Sequence, residues 1–94
     1  MFSSRKSVER KLLSLSAEIA VLREEIQVVD EQLAHFEDAA EDARLRALVS
    51  ETPQAEQHHR DAAATVAAFR RDRDHKKRKL EKLENKQDQA LDLL

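Results

Sequence analysis

The sequence predicts an all-α fold, an antiparallel two-helix coiled-coil hairpin that dimerises into a four-helix assembly. Glycine is absent, proline occurs once and 38% of the 94 residues are charged, a composition typical of long helices and coiled coils. Apolar residues recur at heptad spacing in both halves of the chain. The single proline, Pro53, lies between these halves, which indicates a turn at that point.

The first half of the chain has an unbroken heptad pattern, in which apolar residues are separated alternately by four and three positions. With heptad positions lettered a to g, the a and d positions are Val8, Leu12, Leu15, Ile19, Leu22, Ile26, Val29, Leu33, Phe36, Ala40, Ala43 and Ala47. So long a pattern predicts one helix over about residues 5–49 with a buried apolar edge. A serine among residues 3–7 is expected to cap its N-terminus.

The segment SETPQAE, residues 50–56, contains the predicted turn. Thr52 followed by Pro53 is the usual pattern of a helix cap with proline at the first helical position. Proline also disfavours helical geometry in the residue before it. We therefore expect a turn over about residues 50–53, a second helix over about 53–92 and a single domain over residues 1–94.

The second half has a weaker heptad pattern. Its apolar a and d positions include Val66, Phe69, Leu80, Leu83, Ala90 and Leu94, and polar residues occupy others, namely His59, Arg73, Lys76 and Gln87. Folding the chain back at the turn sets Val8 opposite Leu94, and every a position then meets a d position, as an antiparallel coiled coil requires. Because polar core residues cost stability, Arg73 and Lys76 predict that the middle of the hairpin packs most loosely.

Charged residues beside the core support the same fold-back. The expected pairs of opposite charge are Glu18–Lys86, Glu25–Lys79, Asp30–Arg70 and Arg44–Glu56, against one like-charged pair, Arg23–Lys77. Each exposed pair is worth only about 0.3–0.5 kcal/mol. The pairs therefore indicate orientation more than stability.

Apolar residues outside the core predict an interaction surface near the turn. In the first helix these are Leu45, Leu48 and Val49, and across from them the second helix has Ala63, Ala64, Ala67 and Ala68. Leu13, Val21 and Val28 are weaker outward positions along the first helix. Contiguous exposed apolar surface usually marks a binding site. We expect a protein–protein interaction module, a small adaptor, regulator or assembly subunit, whose partner is itself as a homodimer or another protein.

The basic segment RRDRDHKKRK, residues 70–79, raises an alternative function, the binding of nucleic acid or nucleoprotein. Arg71, His75, Arg78 and Lys82 form an outward row that has the right charge for phosphate contacts. Against this, acidic residues interrupt the segment, no aromatic residue is interleaved in it for base stacking, and the net charge is −2. A solvated helix face is the simpler interpretation of such a charge run.

No catalytic motif is found, and we expect neither an enzyme nor a cofactor. The chain has no cysteine and no glycine, which excludes thiol chemistry and phosphate-binding glycine loops. Glu56 and His59 have the spacing of a di-iron motif, but a site of that kind needs two copies, so no metal is expected. No segment resembles a signal peptide or a membrane span, and a cytoplasmic protein with no small-molecule ligand is expected.

Overall fold

A computed structural model describes residues 4–94, which form two helices in contact with each other. Helix α1 is Arg5–Ser50 and helix α2 is Pro53–Leu91. No strand occurs among the described residues. The prediction of an all-helical chain folded as a hairpin is therefore confirmed, whereas assembly into four helices stays a prediction. The expected ranges of about 5–49 and about 53–92 differ from these bounds by one residue at the C-terminal end of each helix.

Local hydrogen bonds explain where the helices begin. The Ser4 hydroxyl accepts the backbone N–H of Ser7 at 3.1 Å, which makes Ser4 the N-cap of α1. The Thr52 hydroxyl accepts the backbone N–H of Ala55 at 3.1 Å. Thr52 therefore caps α2 and Pro53 is its first residue, in the arrangement that the sequence predicts.

Glu51 ends α1 and starts the turn. Its φ of 49° lies in the left-handed region, which a helix commonly adopts just after its last residue. Its N–H still donates to the Ala47 carbonyl oxygen at 3.1 Å. Only Glu51 and Thr52 lie between the two helices, so the chain reverses direction within a very short connection.

The chain divides into two compact units, and both helices contribute to each. In the first unit, of which residues 4–26 and 75–94 are described, the core consists of large aliphatic side chains: Leu15, Ile19, Leu22, Ile26 and Leu83, with Leu80 packed against them. Burying each such side chain stabilises the fold by about 1.5–3 kcal/mol. This unit therefore has an aliphatic core of the kind that coiled coils use.

The second unit, residues 27–74, has a different core. Its buried residues are Val29, Leu33, Ala43, Ala47 and Val66. The rings of Phe36 and Phe69 stack with centroids 4.7 Å apart and planes inclined at 37°. Alanine buries little apolar area, so this core gains less from the hydrophobic effect for each residue than the first unit does.

Burial along α1 follows the heptad pattern. Val8, Leu12 and the ten later a and d positions are buried or half-buried, and every other described residue of α1 is exposed. In the second half of the chain the a and d positions from Ala55 to Ala90 are also buried or half-buried. Leu94 was expected opposite Val8 but is 51% exposed. The helix ends at Leu91, so Leu94 no longer follows the helical period that would turn it inward.

The expected charge pairs are wrong, and two observed pairs between the helices lie one heptad away from the expected positions. None of the four forms an ion pair among the described residues. Arg23 contacts Glu84 at 3.6 Å, one heptad beyond Lys77. Arg70 contacts Glu37 at 3.7 Å, one heptad beyond Asp30. Side chains of a helix lean towards the N-terminus of that helix. In two antiparallel helices the side chains therefore lean in opposite directions, and two of them meet when their Cα atoms are offset, each towards the C-terminus of its own helix.

Arg44 and Glu56 were also expected to pair and instead form ion pairs within their own helices. Arg44 binds Glu41 through two hydrogen bonds of 3.0 and 2.7 Å. Glu56 contacts Arg60 at 3.8 Å. Residues three or four positions apart on a helix are neighbours whatever the tertiary structure, so the local partners are reached at a lower entropic cost.

Candidate interaction surfaces

The turn-proximal surface, defined here as Leu45, Leu48 and Val49, lies on the last turns of α1. These side chains are 47%, 63% and 86% exposed, respectively. Residues three and four positions apart are neighbours on a helix, so Leu45 lies beside both Leu48 and Val49. The structure therefore places three aliphatic side chains in water, together, on one side of the helix end.

The alanines predicted to complete this surface have mixed surroundings. Ala64 and Ala68 are exposed and Ala67 is half-buried. Ala63 is exposed but lines a groove of about 340 Å³ together with the charged residues Glu37, Glu41, Arg44 and Arg70, and with Ala40, His59 and Val66. The surface around Ala63 is thus charged, and the three aliphatic residues of α1 form the more apolar part of the predicted site.

Charges in this groove are already satisfied within the chain. The pKa of Glu41 lies below its ordinary value, chiefly because Arg44 donates hydrogen bonds to its carboxylate, with further attraction from the charges of Arg44 and His59. The same hydrogen bonds raise the pKa of Arg44. With Glu37 paired to Arg70 as well, the groove is an arrangement of internal ion pairs rather than a vacant charged site.

The two histidines near the start of α2, His58 and His59, lie in different grooves. Glu56 is engaged by Arg60 at 3.8 Å, and His59 lies half-buried in the charged groove. His58 lines a different groove, of about 280 Å³, with Phe36, Ala39, Asp61, Ala62 and Thr65. Within residues 4–94, no group of three or more metal-ligating side chains converges. The two histidines therefore belong to separate surroundings.

The basic residues proposed for phosphate contacts, Arg71, His75, Arg78 and Lys82, are all exposed. Between them, Arg73 has a side chain that is only 27% exposed and that contacts Asp74 at 3.2 Å. The four outward residues are therefore accessible to a ligand, whereas the charge of Arg73 is paired with that of Asp74.

A groove in the first unit was not foreseen from the sequence. It has a volume of about 380 Å³ and is lined by Ala17, Glu18, Val21, Leu22, Glu25, Lys79 and Leu83. Val21 is 55% exposed. The heptad pattern predicts Val21 only as an isolated outward position of the first helix. The sequence contains one indication of the groove, because Val21 lies between Glu18 and Glu25, which both occupy position g of α1. The heptad pattern of α1 does not show which residues α2 contributes to the groove.

The end of α2 also exposes apolar residues that sequence analysis missed. Leu91, Leu93 and Leu94 are 50%, 66% and 51% exposed. The heptad pattern assigned only Leu94 to the core and attached no role to the other two. Because the helix ends at Leu91, these leucines do not share one helical face.

No family model, curated protein or solved structure matches the chain. Neither described helix contains a stretch long and apolar enough to cross a membrane.

Proposed function

We propose that the chain is a non-catalytic protein–protein interaction module that binds a partner through the turn-proximal surface. The supporting observation is the exposure of Leu45, Leu48 and Val49 at 47%, 63% and 86%. Leaving such side chains in water forgoes about 1.5–3 kcal/mol each relative to burial. A partner that covers them recovers this free energy.

The surroundings of the surface favour an apolar protein partner. Leu45 lies between Arg44, whose charge is held by Glu41, and the exposed Arg46, so the apolar surface has one arginine at its edge. The surface is also on a helix rather than on a loop, which limits the entropy lost on binding. Apolar side chains presented three and four residues apart suit a hydrophobic groove or another helix.

The double variant Leu45→Lys/Leu48→Lys tests this proposal. A photo-reactive amino acid at Val49 should form adducts with the partner in cells, and the double variant should lose them because two charges are brought into the apolar contact. Helix content measured by circular dichroism should stay unchanged, since both leucines are exposed. Loss of at least about 90% of the adduct is expected, equivalent to a loss of about 1.4 kcal/mol or more in binding.

Leu13→Lys is the matched control. Leu13 is 73% exposed and lies in the first unit, and the substitution adds the same side chain to the same helix. Adducts should persist in this variant. Equal adduct formation by the wild type and the Leu45→Lys/Leu48→Lys variant would contradict the proposal.

Binding of nucleic acid is a second candidate function, favoured by the exposure of Arg71, His75, Arg78 and Lys82. The dependence of binding on salt concentration distinguishes the two functions. Phosphate contacts lose affinity steeply as salt rises because counterions are released on binding, whereas apolar docking does not. Adducts at Val49 that are formed in a cell lysate and persist from about 50 to about 500 mM salt would favour the protein partner.

A further inference from the structure

The groove of the first unit has charged residues of both signs that the chain itself leaves unpaired. Glu18 and Glu25 line it from α1 and Lys79 lines it from α2. None of these three side chains makes an ion pair or a hydrogen bond among the described residues. On the opposite face of the same unit, by contrast, Arg23 pairs with Glu84 at 3.6 Å. One face of the unit is therefore satisfied internally and the other is not.

The floor of the groove is apolar. Leu22 and Leu83 are buried beneath it, and Val21 beside them is 55% exposed. With a volume of about 380 Å³, the groove has room for side chains from another protein. An apolar floor with a charged rim is the usual anatomy of a protein interface.

The two signs of charge are separated by helix. Glu18 and Glu25 occupy successive g positions of α1, and Lys79 and Lys86 occupy successive g positions of α2. Lys82, also exposed, is on the same side of α2 at position c. The rim is thus acidic along α1 and basic along α2, which makes this face complementary to itself.

We propose that a second copy of the chain docks on this groove, with a twofold axis parallel to the helices. In that arrangement α1 of each protomer lies on α2 of the other. Glu18 of one copy then faces Lys86 of the other, and Glu25 faces Lys79. The twofold axis makes each of these contacts occur twice. Val21 of each copy lies over α2 of the other, at the level of Lys82 and Leu83.

Charge excludes the other face-to-face twofold arrangement. With the axis perpendicular to the helices, α1 would lie on α1 and α2 on α2. Glu18 and Glu25 would then meet glutamates, and Lys79 would meet lysines. Like charges across an interface cost binding energy. The inference goes beyond the proposed function, because it assigns a second surface with a second occupant and leaves the turn-proximal surface free.

Val21→Lys is the first test. The wild type should be a dimer by light scattering after size-exclusion chromatography. The variant should dissociate with a dissociation constant raised by roughly 100-fold, since a charge is brought into the contact between the two copies, beside Lys82. The control Leu13→Lys should remain dimeric because Leu13 lies on another face of α1. A monomeric wild type, or a Val21→Lys variant as dimeric as the wild type, would overturn the inference.

Charge exchange between copies is the sharper test. The variants Glu18→Lys/Glu25→Lys and Lys79→Glu/Lys86→Glu should each dimerise at least about tenfold more weakly than wild type, because each sets like charges against each other. An equimolar mixture should recover dimers, since lysines of one variant then face glutamates of the other. Mixing leaves the contacts within each chain unchanged, so recovery reports pairing between copies. A mixture as monomeric as its components would overturn the inference.

Salt distinguishes the two axes. With α1 on α2, the wild-type dimer should weaken as salt rises, because opposite charges are screened. Strengthening of the dimer by salt would indicate like charges in contact and would overturn the proposed axis. Failure of the proposed function is separable, since the Leu45→Lys/Leu48→Lys variant leaves this groove intact and should dimerise like wild type.

Discussion

Glu51 carries the one left-handed backbone conformation among the described non-glycine residues, with a φ of 49°. A residue with a Cβ atom pays roughly 1–2 kcal/mol for this conformation, and glycine does not. Glycine loses more entropy on folding, so the net effect is smaller than this cost. Glu51→Gly should therefore raise the free energy of unfolding by about 0.5–1 kcal/mol, measured by urea denaturation.

As a control, a glutamate-to-glycine substitution inside a helix should change the free energy of unfolding in the opposite direction. Glu24 is exposed within α1, where glycine lowers stability by about 1 kcal/mol. Glu24→Gly should therefore be destabilising while Glu51→Gly is stabilising. If both variants lose stability equally, the left-handed conformation of Glu51 does not destabilise the fold and the prediction is wrong.

The Glu41–Arg44 pair makes a prediction about pH. Because Arg44 holds the pKa of Glu41 below its ordinary value, the unfolded chain binds the proton more readily than the folded one. The pair therefore stabilises the fold above the unfolded pKa, and this contribution is lost as pH falls through the folded pKa. An NMR titration should find the Glu41 pKa lowered in the wild type and close to ordinary in Arg44→Gln. An unchanged pKa in that variant would contradict the assignment.

At the scale of the helix, α2 differs from α1 in carrying polar residues at core positions. The Arg73 side chain is 27% exposed and turns to contact Asp74 at 3.2 Å, so its stem covers apolar surface while its charge reaches water. Lys76 is half-buried as well. A polar core position specifies register at a cost in stability.

Replacing both residues by leucine should therefore stabilise the hairpin. We expect Arg73→Leu/Lys76→Leu to raise the free energy of unfolding by about 1–3 kcal/mol, because two half-buried positions become apolar. The control Arg71→Leu/Lys77→Leu removes the same charge from exposed positions and should change stability by less than about 0.5 kcal/mol. Urea denaturation of both variants measures the difference, and equal stabilisation would show that general charge removal is responsible.

At the scale of the whole molecule, stability is expected to vary along the chain. The division between the two compact units falls after Ile26 and after Asp74, within the stretch where Arg73 and Lys76 interrupt the apolar pattern. Native-state hydrogen exchange should show lower protection at residues 26–29 and 73–76 than near Ile19 and Leu83, because polar core residues contribute less to local stability. Greater protection at residues 26–29 and 73–76 would contradict this prediction.

The helical class, the break between the helices and the buried edge of each helix follow from the sequence pattern. Heptad spacing identifies the a and d positions of α1 because only one edge of a helix can face its partner, and these are the positions that the structure buries, from Val8 to Ala47. Thr52 and Pro53 mark the start of α2 through local chemistry that needs no tertiary contact. These features depend on residues close together in the chain, which a sequence pattern records.

Tertiary structure alone decided which charged residues meet and where grooves form. A step of one heptad leaves every position letter unchanged, so the pattern cannot choose between Lys77 and Glu84 as the partner of Arg23. The lean of the side chains decides it. The groove at Val21 likewise needs both helices, because Glu25 and Lys79 are brought to one rim only by the fold. Sequence period specifies which edge is buried, and the placement of side chains along that edge specifies the contacts.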